Sequence, residues 1–125
     1  MKKIISTTNS PGAIGPYSQG TIFDNLIFTS GQLPIHPDTG LISENDVAEQ
    51  TRQCLQNAKA ILEEAGSSLE KALKTTVYMV DMKEFSIMND EYKKFFEGNY
   101  PARSTVEVSR LAKDALVEIE VIAYV

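Results

Sequence analysis

The sequence predicts a single α+β domain in which two helices cover one face of a sheet, and three observations support this fold class. Two segments carry apolar residues at helical spacing, whereas five others alternate apolar and polar residues or are rich in β-branched residues, as strands are. The chain has 125 residues, which is the size of one domain. Because two helices are too few to cover both faces of such a sheet, one face is left open.

Charge and composition limit the possible functions. The formal net charge is -5, and no run of lysine and arginine interleaved with aromatic residues occurs, so nucleic-acid binding is disfavoured. The single cysteine, Cys54, excludes an internal disulfide and a cysteine-based zinc site, which agrees with a reducing compartment. The first residues lack the apolar core of a signal peptide, and no apolar run is long enough to span a bilayer. We therefore expect a soluble cytoplasmic protein.

Residues 9–20 are predicted to form a loop, and a short strand is possible before it at residues 3–6. The loop holds three of the seven glycines and two of the five prolines. No Gly-Lys-Ser/Thr motif follows, so it is not a phosphate-binding loop. Tyr17 lies within it, and the pattern alone favours a ring that packs on the body of the protein with its hydroxyl in water.

A β-hairpin is predicted next. Asp24 and Asn25 tolerate the positive φ of a tight turn, and they separate strands at residues 21–23 and 26–29. The second strand continues towards Gly31, which permits another group to approach the backbone closely.

The first helix is predicted to begin at Asp46 and to be capped by Gly66. Its apolar stripe consists of Val47, Thr51, Cys54, Leu55, Ala58, Ile61, Leu62 and Ala65. Because Cys54 lies on this stripe, we interpret it as a small buried apolar residue rather than a nucleophile. The β-branched residues at positions 73–81 predict the strand that follows.

The second helix is predicted at residues 82–97, where Phe85, Met88, Tyr92, Phe95 and Phe96 follow helical spacing. Asn89 lies beside this stripe. Since a buried amide needs hydrogen-bond partners, Asn89 either braces the neighbouring loop or reaches a site. Pro101 then ends the helical segment and begins the next strand.

The last two strands, at residues 101–108 and 117–123, each alternate between an apolar and a charged face. We expect the valines of the first to point inward, and Arg103, Glu118 and Glu120 to lie on the uncovered face of the sheet. An arginine there is a candidate anchor for a carboxylate or phosphate, although charges on an open face can also be simply solvated. Apolar residues on that face favour oligomer formation through it.

Several segments together resemble the RidA/YjgF family of small reactive-imine deaminases over essentially the whole chain. They are GPYSQG at 15–20, TSGQLP at 29–34, VDM at 80–82, Asn89 with Tyr92 and the two following phenylalanines, PARS at 101–104 and VEIEVIA at 117–123. Each segment alone is weak evidence for the family, but the order and spacing of all of them make the match specific. The resemblance implies a chorismate-mutase-like fold, with a mixed sheet and two helices on one face. It also implies a homotrimer whose sheets form an inner barrel, with three sites in the clefts between subunits.

The activity that this resemblance implies is hydrolysis of 2-imino acids such as 2-iminobutanoate and 2-iminopropanoate, or their enamines, to 2-keto acids and ammonia. This reaction protects pyridoxal-phosphate enzymes that such imines damage. No metal or organic cofactor is expected, because a protonated imine is already electrophilic. Arg103 would hold the substrate carboxylate, and Glu118 would position a water and accept its proton. Burial would raise the pKa of Glu118 and a nearby Arg103 would lower it, and the sequence leaves the balance open.

The same resemblance implies roles for the other predicted site residues. The backbone of Thr105 would meet the imine nitrogen, Tyr17 would close the pocket from a subunit edge, Ser30 and Gly31 would line it, and Asn89 would support its wall. Many members carry cysteine where this chain has Thr105, so thiol-dependent behaviour of relatives is not expected here.

Two other functions stay open at the level of sequence. The same cleft could bind 2-keto acids or other small carboxylates as a sensor, or the trimer could be a regulatory or chaperone-like partner without turnover. Hydrolysis and carboxylate binding both need Arg103, but only hydrolysis needs Glu118. Ribonuclease activity, suggested for some relatives, fits poorly with an acidic chain that lacks a pair of catalytic histidines.

Overall fold

The computed structural model describes residues 1–42 and 44–125, which form a six-stranded sheet and two α-helices. The strands are β1 (Lys3–Ile5), β2 (Gly20–Phe23), β3 (Leu26–Thr29), β4 (Ala72–Met79), β5 (Ala102–Glu107) and β6 (Val117–Tyr124). The helices are α1 (Val47–Glu64) and α2 (Phe85–Tyr92). Both helices contribute to the same core cluster as alternate residues of β4 and β6, which confirms the predicted α+β class. Within the described part of the chain, neither helix has the length and apolar character needed to cross a membrane.

The strand order in the sheet is β1-β2-β3-β6-β4-β5. Among the strands of residues 1–42 and 44–125, only β4 and β5 pair in parallel, and every other neighbouring pair is antiparallel. The parallel pair follows from the connection, because α2 crosses back over the sheet between these two strands. The predicted β2–β3 hairpin is confirmed, with Asp24 at a φ of 51° in its turn. β5 lies at an edge, so one row of its backbone groups pairs with no strand of the described sheet.

The first helix has the boundaries that its capping residues predict. Asp46 accepts a hydrogen bond from the backbone N–H of Glu49 at 3.4 Å. At the other end, the N–H groups of Gly66 and Ser67 donate to carbonyls of the last turn at 3.0 and 2.8 Å, and Gly66 has a φ of 81°. Cys54 is fully buried, and burial raises the pKa of its thiol. Its interpretation as a core residue is confirmed.

The second helix is shorter than the predicted span of residues 82–97. The α-helical part covers Phe85–Tyr92, and 3-10 turns at Met82–Glu84 and Lys93–Phe95 flank it. A 3-10 turn brings positions i and i+3 to one side, much as an α-helix does, so the apolar spacing does not distinguish the two. A turn with positive φ values at Glu97 and Gly98, 48° and 84°, then ends this segment.

One face of the sheet is covered by the helices and the other is open. On β6 the residues under the helices are Val117, Ile119, Val121 and Ala123, whereas Glu118, Glu120 and Ile122 point to the open side. The open face also carries large apolar side chains, including Phe23 at 54% and Phe28 at 40% exposure. A face of this kind is typical of a surface that another chain covers.

The prediction that Arg103 shares the open face with Glu118 is wrong. In the parallel ladder Arg103 pairs with Thr75 and Thr105 pairs with Val77, and both β4 residues are buried in the core. Paired residues on neighbouring strands point to the same face, so Arg103 and Thr105 lie on the helix side. Val106, expected to point inward, is 41% exposed on the open side. Alternation gives the period of a strand but not its covered face, and at a sheet edge a long cationic side chain can reach solvent from the helix side.

Candidate functional site

Arg103 lies in a cleft at the sheet edge, between β5 and the C-terminal part of α2. The cleft has a volume of about 390 Å³ and is lined by Asn89, Tyr92, Lys93, Tyr100, Pro101 and Arg103. Arg103 is half-buried and takes part in none of the salt bridges formed by residues 1–42 and 44–125. A half-buried guanidinium without a carboxylate partner in the described chain is suited to bind an anion.

Aromatic rings support the Arg103 guanidinium from below. Its Cζ atom lies 4.7 Å from the ring centroid of Tyr92 and 5.5 Å from that of Phe85. The Tyr92 hydroxyl is 2.7 Å from Oγ1 of Thr75, which is fully buried. Helical spacing identified Tyr92 only as a core residue. The one available signal was its hydroxyl, since a buried tyrosine needs a hydrogen-bond partner that a phenylalanine does not.

Asn89 and Thr105 accompany Arg103. Asn89 is half-buried in the wall of the Arg103 cleft, which is the position that the second of its two predicted alternatives requires. Thr105 is half-buried two residues further along β5 and points to the same face as Arg103. These three predicted residues therefore form one group, which we call the arginine half-site.

Glu118 lies on the open side of β6, against the segment that follows β3. A Cβ atom added to Gly31 would collide with Oε2 of Glu118 and would lie 2.8 Å from its Cδ. The backbones are held together next to this contact, because Gln32 N–H donates to Ile119 O at 2.7 Å and Ile119 N–H donates to Gln32 O at 3.1 Å. The close approach predicted for Gly31 is confirmed, and the approaching group is the Glu118 carboxylate.

Two buried glutamines, which the sequence pattern did not single out, hold this region in place. The Gln32 side chain accepts a hydrogen bond from Ser10 Oγ and donates one to Ser30 O, both at 3.1 Å. Gln19 Nε2 donates to Pro11 O at 2.8 Å, which ties the glycine-rich loop together. A glutamine in an irregular segment carries no periodic signal, so its burial is visible only in the folded chain.

Tyr17 packs within its own loop. Its hydroxyl accepts a hydrogen bond from the backbone N–H of Ile14 at 3.3 Å, and the residue is 53% exposed. It shares a cavity of about 200 Å³ with Gly31 and Gln32. Gly31 connects this cavity to Glu118, and Ser30, whose hydroxyl donates to Ser18 O at 2.6 Å, precedes Gly31 in the chain. We call Tyr17, Ser30, Gly31 and Glu118 the glutamate half-site.

The glutamate half-site has a proton affinity that suits base chemistry. Burial raises the pKa of the Glu118 carboxyl above its usual value, and the negative charge of Glu120 raises it further. Burial, followed by the charge of Glu120, also raises the pKa of Tyr78 on the neighbouring strand. Arg103 does not offset the effect on Glu118, because it lies on the other side of the sheet. The sequence left open whether burial or Arg103 determines the pKa of Glu118. Within one chain, burial determines it.

The two half-sites do not meet within one chain. β4 separates β5 from β6, and Arg103 and Glu118 point to opposite faces of the sheet. A small substrate bound to Arg103 is therefore out of reach of Glu118 in the same chain. Across the described ranges, no group of three or more histidine, cysteine, aspartate or glutamate residues is arranged to hold a metal ion.

Known proteins resemble this chain over nearly its whole length. Residues 7–125 match the family model described as Endoribonuclease L-PSP. The chain is 50% identical over 126 residues to the 2-iminobutanoate/2-iminopropanoate deaminase of Escherichia coli K12, covering 98% of each protein. The structure of YyfA from Yersinia pestis, of the conserved Rid protein family, is 52% identical with a TM-score of 0.97 over 100% of both chains. The structure of Escherichia coli TdcF with bound serine is 48% identical with a TM-score of 0.94 over 98% of both chains.

Proposed function

The chain belongs to the RidA/YjgF family, and from this membership and the geometry of the two half-sites we propose that it hydrolyses reactive 2-imino acids. The substrates are 2-iminobutanoate, 2-iminopropanoate and their enamine tautomers, and the products are 2-keto acids and ammonia. The observation that carries the proposal is the half-buried Arg103, which stacks on aromatic rings and forms no salt bridge within the described chain. In the cytoplasm this activity protects pyridoxal-phosphate enzymes from free imines.

Arg103 holds the substrate by its carboxylate. The guanidinium donates two parallel hydrogen bonds to the two carboxylate oxygens, which fixes the position of the neighbouring imine carbon. A relative supports this binding mode, since Escherichia coli TdcF has been seen with bound serine, an amino acid that carries its nitrogen on the carbon next to the carboxylate. The backbone of Thr105 meets the imine nitrogen, and Asn89 supports the wall of the pocket.

Glu118 activates the attacking water. Its carboxylate accepts a proton as the water oxygen bonds to the imine carbon, and the C=N double bond becomes a C–N single bond. The imine is protonated, so this addition leaves a hydroxyl and an amino group on the carbon. Glu118 then delivers its proton to the nitrogen, the C–N bond breaks and ammonia leaves, while the hydroxyl returns its proton to Glu118 and forms the new C=O bond. The raised pKa of Glu118 supports both steps, because a carboxyl whose pKa is closer to neutral pH can both accept and return a proton.

A homotrimer unites the half-sites. Since Arg103 and Glu118 point to opposite faces, one chain supplies the arginine half-site and its neighbour supplies the glutamate half-site. The open sheet faces turn inward to form a barrel, which covers exposed apolar residues such as Phe23 and Phe28. Tyr17 closes the pocket from a subunit edge, and Ser30 and Gly31 line it.

A second candidate is a trimer that binds small carboxylates as a sensor, without turnover. The arginine half-site favours it, because Arg103 alone is sufficient to hold a carboxylate, and serine in TdcF is a bound amino acid rather than an imine. RNA cleavage, which the description of the family model raises, has weaker support, since a net charge of -5 and a single histidine suit neither RNA binding nor paired acid–base catalysis.

The test is the rate at which keto acid is released from a freshly generated 2-imino acid. An amino-acid oxidase produces the imine in place, and semicarbazide competes for it. We expect the wild type to accelerate keto-acid release, and expect Arg103→Ala and Glu118→Gln each to lose roughly 100-fold or more of this rate. A Glu118→Gln variant that binds the 2-keto acid but does not turn over the imine favours the enzyme. No acceleration by the wild type with either imine would refute the proposed reaction and favour the carboxylate sensor.

A further inference from the structure

Thr75, Tyr92 and Arg103 form a closed set of contacts under the arginine half-site. Thr75 is the ladder partner of Arg103 and points to the same face of the sheet. Its hydroxyl lies 2.7 Å from that of Tyr92, and the Tyr92 ring lies 4.7 Å below the Arg103 guanidinium. Each member of the set is therefore fixed by the other two, and α2 is joined to β4 and β5 at this point.

The hydrogen bond fixes the ring, and the ring restricts the arginine. Tyr92 is 3% exposed and Thr75 is fully buried, so their hydroxyls have no bulk water as an alternative partner. Phe96 holds the Tyr92 ring from another side, with ring centroids 4.8 Å apart. A guanidinium over an aromatic ring keeps its in-plane N–H groups free. These donors are the groups that a bidentate carboxylate contact requires.

We propose that Tyr92, anchored by Thr75, is a positioning residue that pre-orients Arg103 and thereby determines the affinity of the cleft for 2-imino and 2-keto acid carboxylates. This inference rests on the proposed function of the cleft. Without the ring, the long arginine side chain samples several rotamers, and binding a substrate must first restrict them. Because carboxylate binding is common to the ground state and the transition state, the loss is expected in KM rather than in kcat.

The test compares variants at three positions. Tyr92→Leu removes the ring, and we expect KM for the imine to rise roughly 3- to 30-fold with kcat nearly unchanged, as loss of a cation–π contact predicts. The affinity for 2-oxobutanoate, measured by calorimetry, should fall by the same factor. Tyr92→Phe combined with Thr75→Val keeps the ring and removes both hydroxyls together, so its KM should lie between those of Tyr92→Leu and wild type. Met88→Ala is the matched control, because Met88 is fully buried on the same helix and should lower the melting temperature without raising KM.

A double-mutant cycle separates positioning from general structural damage. In an Arg103→Ala background, adding Tyr92→Leu should not weaken 2-oxobutanoate binding further, since the arginine that the ring positions is absent. An equal loss in both backgrounds, or an unchanged KM in Tyr92→Leu, would overturn the inference. If the wild type binds 2-oxobutanoate but hydrolyses no imine, the proposed reaction fails and the affinity series alone decides the role of Tyr92. If it binds neither, both proposals are overturned.

Discussion

The arginine half-site lies on the helix-covered side of an edge strand, whereas the glutamate half-site lies on the open side of a central strand. The first is supported by aromatic rings, with Tyr92 4.7 Å from the guanidinium. The second is supported by backbone, because Gln32 and Ile119 exchange two hydrogen bonds beside the contact between Gly31 and Glu118. A ring restricts a cation without neutralising it, and close backbone packing desolvates a carboxylate and raises its pKa.

This difference assigns different tasks to the two half-sites. In the proposed mechanism, the arginine half-site determines how tightly the substrate carboxylate binds, and the glutamate half-site determines when a proton moves. Burial raises the pKa of the Glu118 carboxyl and the negative charge of Glu120 raises it further, whereas Arg103 lies on the other face of the sheet. If Arg103 and Glu118 lay side by side on one face of the same chain, they would form a salt bridge. Because they lie on opposite faces of the sheet, Arg103 and Glu118 cannot pair within one chain, which leaves Arg103 free to bind a substrate in the proposed mechanism.

The largest predicted effect is complementation between two inactive variants. If each site combines Arg103 of one chain with Glu118 of another, then co-refolding Arg103→Ala with Glu118→Gln creates sites that contain both native residues. Random mixing in equal amounts should restore about one quarter of the wild-type sites, starting from nearly none. The measurement is keto-acid release by mixed trimers whose composition is verified by native mass spectrometry.

The control for complementation is a mixture of Arg103→Ala with the double variant Arg103→Ala/Glu118→Gln. No chain in that mixture carries Arg103, so no site can be complete and no activity should return. Mixed trimers of the two single variants that stay inactive would show that both groups of a site come from one chain. That result would contradict the separation of the half-sites.

The next largest effect is expected from Gly31→Ala. Its Cβ would displace the Glu118 carboxylate, and a displacement of about 1 Å in a reacting group can lower the rate by about 100-fold. A side-chain carboxylate can rotate away from a methyl group, so the fold should survive. We expect kcat to fall while the affinity for 2-oxobutanoate, which depends on the arginine half-site, changes much less.

Gly12→Ala is the matched control for Gly31→Ala. A Cβ at Gly12 meets no atom of the described residues within 4 Å, so this variant should retain wild-type kcat and KM. Loss of keto-acid affinity in Gly31→Ala as large as its loss of kcat would show that the two half-sites do not have separate tasks.

Most of the fold could be predicted from local signals. Asp24 and Asn25 mark the hairpin, Asp46 and Gly66 bound the first helix, and the hydrogen bonds of these caps are present as predicted. Local sequence is sufficient at such positions because each signal depends only on residues a few positions away. The ends of the second helix were less predictable, since 3-10 turns preserve much of the same apolar spacing.

The site was less predictable than the fold. Alternation correctly separated Arg103 from its neighbours along β5, but it could not show that the helix side of an edge strand would accept an arginine. The supporting residues were also hidden, because Tyr92 had the spacing of an ordinary core residue and Gln32 lay in an irregular segment. The roles of these residues depend on contacts between distant parts of the chain, such as the hydrogen bond between Thr75 and Tyr92.

A smaller effect is expected on the pH dependence of the reaction. Glu118 must be ionised to accept a proton from water, so the rate should fall as the pH falls through its raised pKa. Glu120→Gln removes the nearby negative charge, which lowers the pKa of Glu118 towards its usual value. The acid limb of the kcat profile should therefore move to lower pH, with the rate at high pH little changed. The control is Glu91→Gln. Glu91 lies on α2, away from the open face, so its substitution should not move the acid limb of the kcat profile.

The smallest effect is expected on stability, and its sign follows from the same shift in pKa. Because the folded pKa of Glu118 is raised, the folded protein holds this proton more tightly than the unfolded chain, and the ionised carboxylate destabilises the fold at neutral pH. Glu118→Gln removes that cost, and it should raise the free energy of unfolding by less than about 1 kcal/mol, since solvent screens a half-exposed carboxylate. The gain should disappear below about pH 4.3, where an unfolded glutamate is also protonated. Thermal melts at fixed protein concentration measure it, and a Glu118→Gln variant that melts lower than wild type at pH 8 would show that the carboxylate stabilises the fold.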